Sequence, residues 1–182
     1  MEAKQIELAT SERAEQGQYL VFMLGREMFA INIVVIKEIT EVGRLTTVPR
    51  MPYFIRGVIN LRGAVVPVID LGARFDKPAI QISRRTCIII IEVDIDGDDK
   101  QEVGVMVDGV SAVTDIPAAD IKPPPSFGSH IRTDFISGVG KVNDEFVIIL
   151  NVDRVLEMDE IAALASVSTE GKSHEMLLPE AA

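Results

Sequence analysis

The chain has 182 residues, 28 acidic side chains against 18 basic ones, a formal net charge of −10 at pH 7 and no tryptophan. That balance argues against nucleic acid, whose binders need basic patches, and disfavours adsorption to anionic lipid, while a hydrophobic share of 47% excludes general disorder. The lone Cys87 lies inside an apolar strand pattern, so no disulfide framework exists and a reducing compartment fits.

In chain order, residues 1–17 carry Glu2, Glu7, Glu12 and Glu15 rather than the basic start and apolar run of a secretory signal, and read as a flexible N-terminal arm. No apolar run approaches the ~20 residues that cross a bilayer, so no direct membrane insertion is expected. Gln18 to Leu24 is a strand, Gly25-Arg26-Glu27 a turn and Met28 to Ile31 the returning strand. From Asn32 to Ile39, Ile33, Ile36 and Ile39 recur every three residues, the spacing of a helical turn entering an extended segment. After the proline-bounded connection Thr46 to Pro52 comes Phe54 to Leu71, two β-branched runs around Asn60-Leu61-Arg62-Gly63. Valine and isoleucine suit a pleated surface and Asn and Gly tolerate positive φ, so this is a β-hairpin with Arg62 at its tip. Pro67 cannot donate to a ladder, which predicts an edge strand or a bulge there. Asp70 is an N-cap for a short helix over Leu71 to Phe75.

Asp76 to Arg85 reads as a connector. Then follow a strand over Thr86 to Asp94, the acidic turn Asp96-Gly97-Asp98-Asp99, a strand over Val103 to Val107, the segment Gly109 to Ile121 and the Pro123-Pro124-Pro125 loop. A second hairpin starts at Phe135, and Asn151 opens a helix predicted to run from Val152 to about Ala165, ahead of a flexible tail at 166–182.

The second half repeats the first. Phe54, Ile55, Gly57 and Val58 match Phe135, Ile136, Gly138 and Val139 at a constant offset (135 − 54 = 81), and Asp70 matches Asn151. Phe29 to Ile39 answers Val103 to Val113 (103 − 29 = 74), and Tyr19 to Phe22 answers Cys87 to Ile90 (87 − 19 = 68). A strand-rich unit of about 70 residues occurring twice predicts a mainly β protein of two small tandem barrels, each closing its own core, at roughly 18–85 and 86–150, followed by a C-terminal helix at 151–165.

Little in the chain suggests reaction chemistry. Asp94, Asp96, Asp98 and Asp99 lack the twelve-residue register and flanking helices of a calcium loop, and His130, His174 and Cys87 make no zinc set, so no metal and no cofactor are expected. Ser137-Gly138-Val139-Gly140 opens no helix that would cradle a phosphate. An enzyme would need Asp70, Glu38 and His130 to converge, and their spacing gives no support for that. Glu38 and Arg62 are different: each interrupts an apolar stretch, and their repeat partners are Ala112 and Asn143, so the charges are absent where the scaffold is copied. Two readings stand, an exposed ion pair worth ~0–1 kcal/mol, or a hairpin-tip guanidinium that contacts a partner with Glu38 holding it. Ile36 and its repeat partner Val110 are either core or the lining of a groove where the barrels meet.

Taken together, Tyr19-Leu20-Val21-Phe22, Val35 to Ile39 with Glu38, Gly57-Val58-Ile59-Asn60-Leu61-Arg62-Gly63, Val66-Pro67-Val68-Ile69-Asp70-Leu71, Asp108-Gly109-Val110 and Asn151-Val152 resemble the CheW family of bacterial chemotaxis coupling proteins, in its single-domain form, over 18–165. The resemblance implies two five-stranded SH3-like barrels around a shared hydrophobic core and no catalytic activity. It implies a cytoplasmic adaptor, recruited to the inner face of the membrane through receptor arrays, that couples the cytoplasmic tip of methyl-accepting chemoreceptors to the regulatory domain of the histidine kinase CheA. It also assigns receptor binding to Ile36, Glu38, Asn60, Arg62, Gly63 and Val110, and leaves the kinase-facing residues unassigned. The acidic insertion at Asp94 to Lys100 is a departure that lengthens one hairpin.

Overall fold

The computed structural model describes residues 17–95, 99–124 and 131–157. Strands run in chain order as β1 (Gln18–Leu24), β2 (Glu27–Asn32), β3 (Ile36–Glu41), β4 (Ile55–Leu61), β5 (Ala64–Asp70), β6 (Cys87–Ile95), β7 (Asp99–Val107), β8 (Gly109–Asp115), β9 (Ile136–Val142) and β10 (Glu145–Leu150). One-turn helices at Leu71–Arg74 and Val152–Val155 follow β5 and β10, and 3₁₀ turns occupy Ile33–Val35, Ala118–Asp120 and Thr133–Phe135. The protein is mainly β, as the β-branched runs require.

Two five-stranded sheets form, ordered β8-β1-β2-β10-β9 and β3-β6-β7-β5-β4. Each sheet takes the first two strands of one repeat copy and the last three of the other. The expected division into barrels at 18–85 and 86–150 is therefore corrected: the copies exchange strands. The repeat could not reveal this, because β3 and β8 are equivalent (36 + 74 = 110) and either completes either sheet. The exchange also sets β10 parallel to β2 and β5 parallel to β7, short parallel pairings in an otherwise antiparallel fold.

The repeat is nevertheless kept in local detail. The ladder of β4 and β5 shifts between Ile55 and Gly57, and that of β10 and β9 shifts between Ile149 and Leu150, opposite the equivalent Ile136 and Gly138. Val58 bridges Thr46 as Val139 bridges Lys122. Phe54 O accepts from Asp70 N at 2.7 Å, and Phe135 O from Asn151 N at 2.8 Å.

The main core is continuous across both sheets, with Leu20, Phe22, Phe29 and Ile31 from one and Ile88, Ile90, Val103 and Val105 from the other. A smaller cluster of Val21, Ala30, Ile116, Val147 and Ile149 fills the first sheet's other face. Successive residues of β1 thus serve two cores, as alternation across a strand dictates. Ile88 to Ile91 are all fully buried, which demands apolar cover on both faces of β6.

Two local expectations are corrected. Pro67 sits in an interior strand, and the β4–β5 shift lies elsewhere. Val58 directs its N–H and C=O at Thr46 (2.8 and 2.9 Å), so the opposed Pro67 faces β7, where parallel pairing starts one residue later at Val68; no ladder bond is lost. The helix after Asn151 is one turn, Val152–Val155, and the Asn151 side chain makes no capping bond, unlike Asp70, whose carboxylate accepts from Ala73 N. Residues 158–165 of that expected helix, the arm at 1–16, the tail, the acidic turn at 96–98 and both histidines lie outside the described residues.

Candidate functional site

The β4–β5 hairpin closes through a two-residue turn between Leu61 and Ala64, with Arg62 at φ 52° and Gly63 at φ 87°. Positive φ at both positions matches the right-handed twist of the flanking strands. Asn60 Oδ1 accepts from Gly63 N at 2.9 Å and pins the turn. Of these residues only Arg62 is out of place by local preference, since a bulky side chain in the left-handed region costs about 1–2 kcal/mol. Its guanidinium hydrogen-bonds the Glu38 carboxylate. Glu38 lies on β3, at one edge of its sheet, and Arg62 follows β4, at the other edge, so the ion pair joins the two ends of a curled sheet. The Arg62 side chain is 71% exposed and that of Glu38 14%, so the pair presents its cation outward with the carboxylate behind it.

A β-bulge aims Glu38. The register passes from Ile36↔Ile91 directly to Glu38↔Ile90, leaving Lys37 as the extra residue. Consecutive partners face opposite sides, so Ile36 and Glu38 do as well, and Ile36 packs with Ile39 on the shared core. The three-residue spacing read as helical thus has two causes: the 3₁₀ turn at Ile33–Val35 accounts for Ile33 to Ile36, and the bulge for Ile36 to Ile39. The same shift recurs where β8 pairs β1, with Val110 opposite Phe22 and Ala112 opposite Val21.

The structure therefore gathers Glu38, Asn60, Arg62 and Gly63, and places Ile36 on the same strand facing inward. Val110 belongs to the other sheet, half-buried on the shared core. The Cys87 thiol meets the Val110 backbone there and stands opposite Glu41 of β3, at the sheet junction.

Of the candidates for acid–base work, His130 lies outside the described residues and Glu38 is held by Arg62. Asp70 is fully buried, its oxygens accepting from Ala73 N (3.0 Å), Ile80 N (2.8 Å) and Arg56 Nη1 (2.7 Å). Those bonds tie the connector back onto β5. Among the described residues no group of three His, Cys, Asp or Glu side chains is placed to hold a metal, and no helix is long and apolar enough to cross a membrane.

Sequence reasoning missed Arg74. This buried arginine lies between the Phe54 and Phe135 rings, 4.9 Å from each centroid, and donates from Nε to Val155 O at 2.9 Å. Phe54 and Phe135 are repeat equivalents, and so are Arg74 and Val155 (74 + 81 = 155). Arg74 thus marks the pseudo-twofold relating the copies. The matched phenylalanines were visible in the sequence, but not that they face each other across a guanidinium.

A family model described as a CheW-like domain matches residues 18–160. The chain belongs to the CheW-like family. The chemotaxis protein CheW of Klebsiella aerogenes is 32% identical over 157 residues, covering 86% of this chain and 90% of that protein. FrzA of Myxococcus xanthus is 33% identical over 160 residues, 87% of this chain and 96% of its own length. The crystal structure of the scaffolding protein TtCheW from Thermoanaerobacter tengcongensis superposes with a TM-score of 0.70 at 36% identity, covering 79% of this chain and 89% of that one. The two five-stranded sheets and their short helices are thus the CheW architecture, and chemotaxis scaffolding is the role this family carries.

Proposed function

We propose that this protein is a non-enzymatic cytoplasmic adaptor coupling the cytoplasmic tip of methyl-accepting chemoreceptors to the regulatory domain of CheA, with the receptor contacting Arg62. The observation carrying this is the Glu38–Arg62 pair: an arginine kept in a strained turn position, its head group in solvent, on a scaffold whose second copy has Ala112 and Asn143 instead. An exposed pair adds too little stability to explain that choice. Asn60 and Gly63 set the turn that presents the guanidinium, and Ile36 and Val110 flank the sheet junction. Small contacts of this kind are individually weak, and repetition of them in an array provides the avidity.

The test is sedimentation with receptor-containing membranes, with and without CheA. Arg62→Glu is expected to weaken co-sedimentation by about tenfold, roughly 1.4 kcal/mol, with an unchanged circular dichroism spectrum. Undiminished binding, or an unfolded variant, removes Arg62 from the contact. The relative named FrzA supports a second reading, the same adaptor serving a chemosensory pathway for surface motility or second-messenger control. Binding to receptors of such a pathway in preference to swimming receptors distinguishes the two.

A further inference from the structure

Ionic side chains crowd one face around the β3 bulge. Glu92 lies two residues beyond Ile90 on β6 and so shares its face, and Ile90 is the partner of Glu38, so Glu38 and Glu92 face the same way. A cross-strand diagonal of this kind leaves about 7–8 Å between the residues, close enough for two carboxylates to repel. Lys37, the extra residue of the bulge, reaches that face as well: its ammonium lies 2.9 Å from Glu92 Oε2. The Lys37 hydrogen bond foremost, with Lys100 at 3.4 Å helping, holds the Glu92 carboxyl below the ordinary 4.5. The charges are thus sorted, Lys37 to Glu92 and Arg62 to Glu38.

The bulge itself needs no charges. In the second copy β8 pairs β1 with Ser111 as the extra residue, the equivalent of Lys37 (37 + 74 = 111), beside Ala112. What the ions decide is which cation meets Glu38. Two cations compete for it: Arg62, arriving from the far edge of the sheet, and Lys37, its neighbour in the chain. The bulge sets Lys37 and Glu38 on one side of β3, where ordinary alternation would part them. With the Glu92 charge removed, the nearest carboxylate to Lys37 is that of Glu38, because Glu102 lies one strand farther, opposite Glu92, and Asp94 two residues farther along β6, opposite Lys100.

We propose that Glu92 is a positioning residue for the candidate site: by occupying Lys37 it reserves Glu38 for Arg62 and keeps the tip guanidinium pre-organised. Its effect on docking rests on the receptor contact proposed for Arg62. An arginine ordered before it meets its partner loses less conformational freedom on binding than one whose anchor is contested.

The first readout needs no receptor. In NMR of the full-length protein, with the Arg62 Nε–H signal assigned by its loss in Arg62→Lys, Glu92→Gln is expected to lower the order parameter of that bond. Glu92→Gln with Lys37→Gln should restore it, because the competitor is gone. Lys100→Gln, which leaves Lys37 on Glu92, should change nothing. Co-sedimentation with receptor-containing membranes and CheA should follow the same order: about threefold weaker for Glu92→Gln, the size an exposed ion pair can supply, and back to the wild-type level in the double variant. An Arg62 Nε–H bond as ordered in Glu92→Gln as in the wild type overturns the proposal. A loss that Lys37→Gln fails to repair overturns it too, making Glu92 a structural residue of the sheet. Order that falls and recovers while sedimentation never changes leaves the charge sorting standing and removes Arg62 from the receptor contact.

Discussion

Arg74 is the residue on which the two copies most directly meet. Its guanidinium is desolvated, stacked between two rings and hydrogen-bonded to a carbonyl, so truncation removes packing, two cation–π contacts and a charged hydrogen bond at once. Arg74→Ala is expected to lower stability by about 3 kcal/mol in urea denaturation, and Arg74→Lys to recover little, because an ammonium lacks the flat surface two rings require. Cys87 offers a second residue-scale test. Burial pushes its thiol up from the ordinary 9.0, with the Glu41 charge acting the same way and the Val110 backbone opposing. A raised pKa means less thiolate at neutral pH, so alkylation should be slower than for an unhindered cysteine, and its rate should go on climbing with pH beyond the point where an ordinary thiol levels off.

At the scale of elements, the β4–β5 turn allows folding to be tested apart from the proposed receptor contact. Asn-Gly is the favoured pair for a two-residue turn with positive φ at both positions. Arg62→Asn should therefore leave stability unchanged or raise it by up to about 1 kcal/mol, while removing the proposed receptor contact; a loss of stability would show the ion pair to be structural. Gly57 makes a sharper demand. At φ 148°, a Cβ there would stand 2.3 Å from Thr46 O, a backbone atom held by the Thr46–Val58 bridge, whereas at Gly138 it meets Ile121 Cγ2 at 2.5 Å and Lys122 O at 3.0 Å. Gly57→Ala is expected to cost about 3 kcal/mol and more than Gly138→Ala, because a side-chain methyl moves aside more readily than a paired carbonyl. Thermal unfolding of the two variants checks the order.

For the whole molecule, strand exchange makes the copies interdependent. β3 pairs with β6 and β5 with β7, and β1 and β2 adjoin β8 and β10, so residues 17–85 alone lack a neighbour for four of their five strands. That fragment should be unfolded by circular dichroism, and the intact chain should unfold in one cooperative transition. Two resolved transitions would mean the sheets are independent.

The sequence by itself determined the strands, the hairpin tips, the repeat and the pairing of Glu38 with Arg62 as candidates, because each rests on local signals: β-branched runs, turn residues and a charge missing from the second copy. Tertiary structure alone decided which copy completes which sheet, since equivalent strands are interchangeable in a sequence pattern. It decided that Ile36 and Glu38 face opposite ways, because one bulged residue inverts the alternation from which a face is read. It also decided the place of Arg74, whose partners are 20, 61 and 81 residues away (74 − 54, 135 − 74, 155 − 74) and meet only once both copies have folded together.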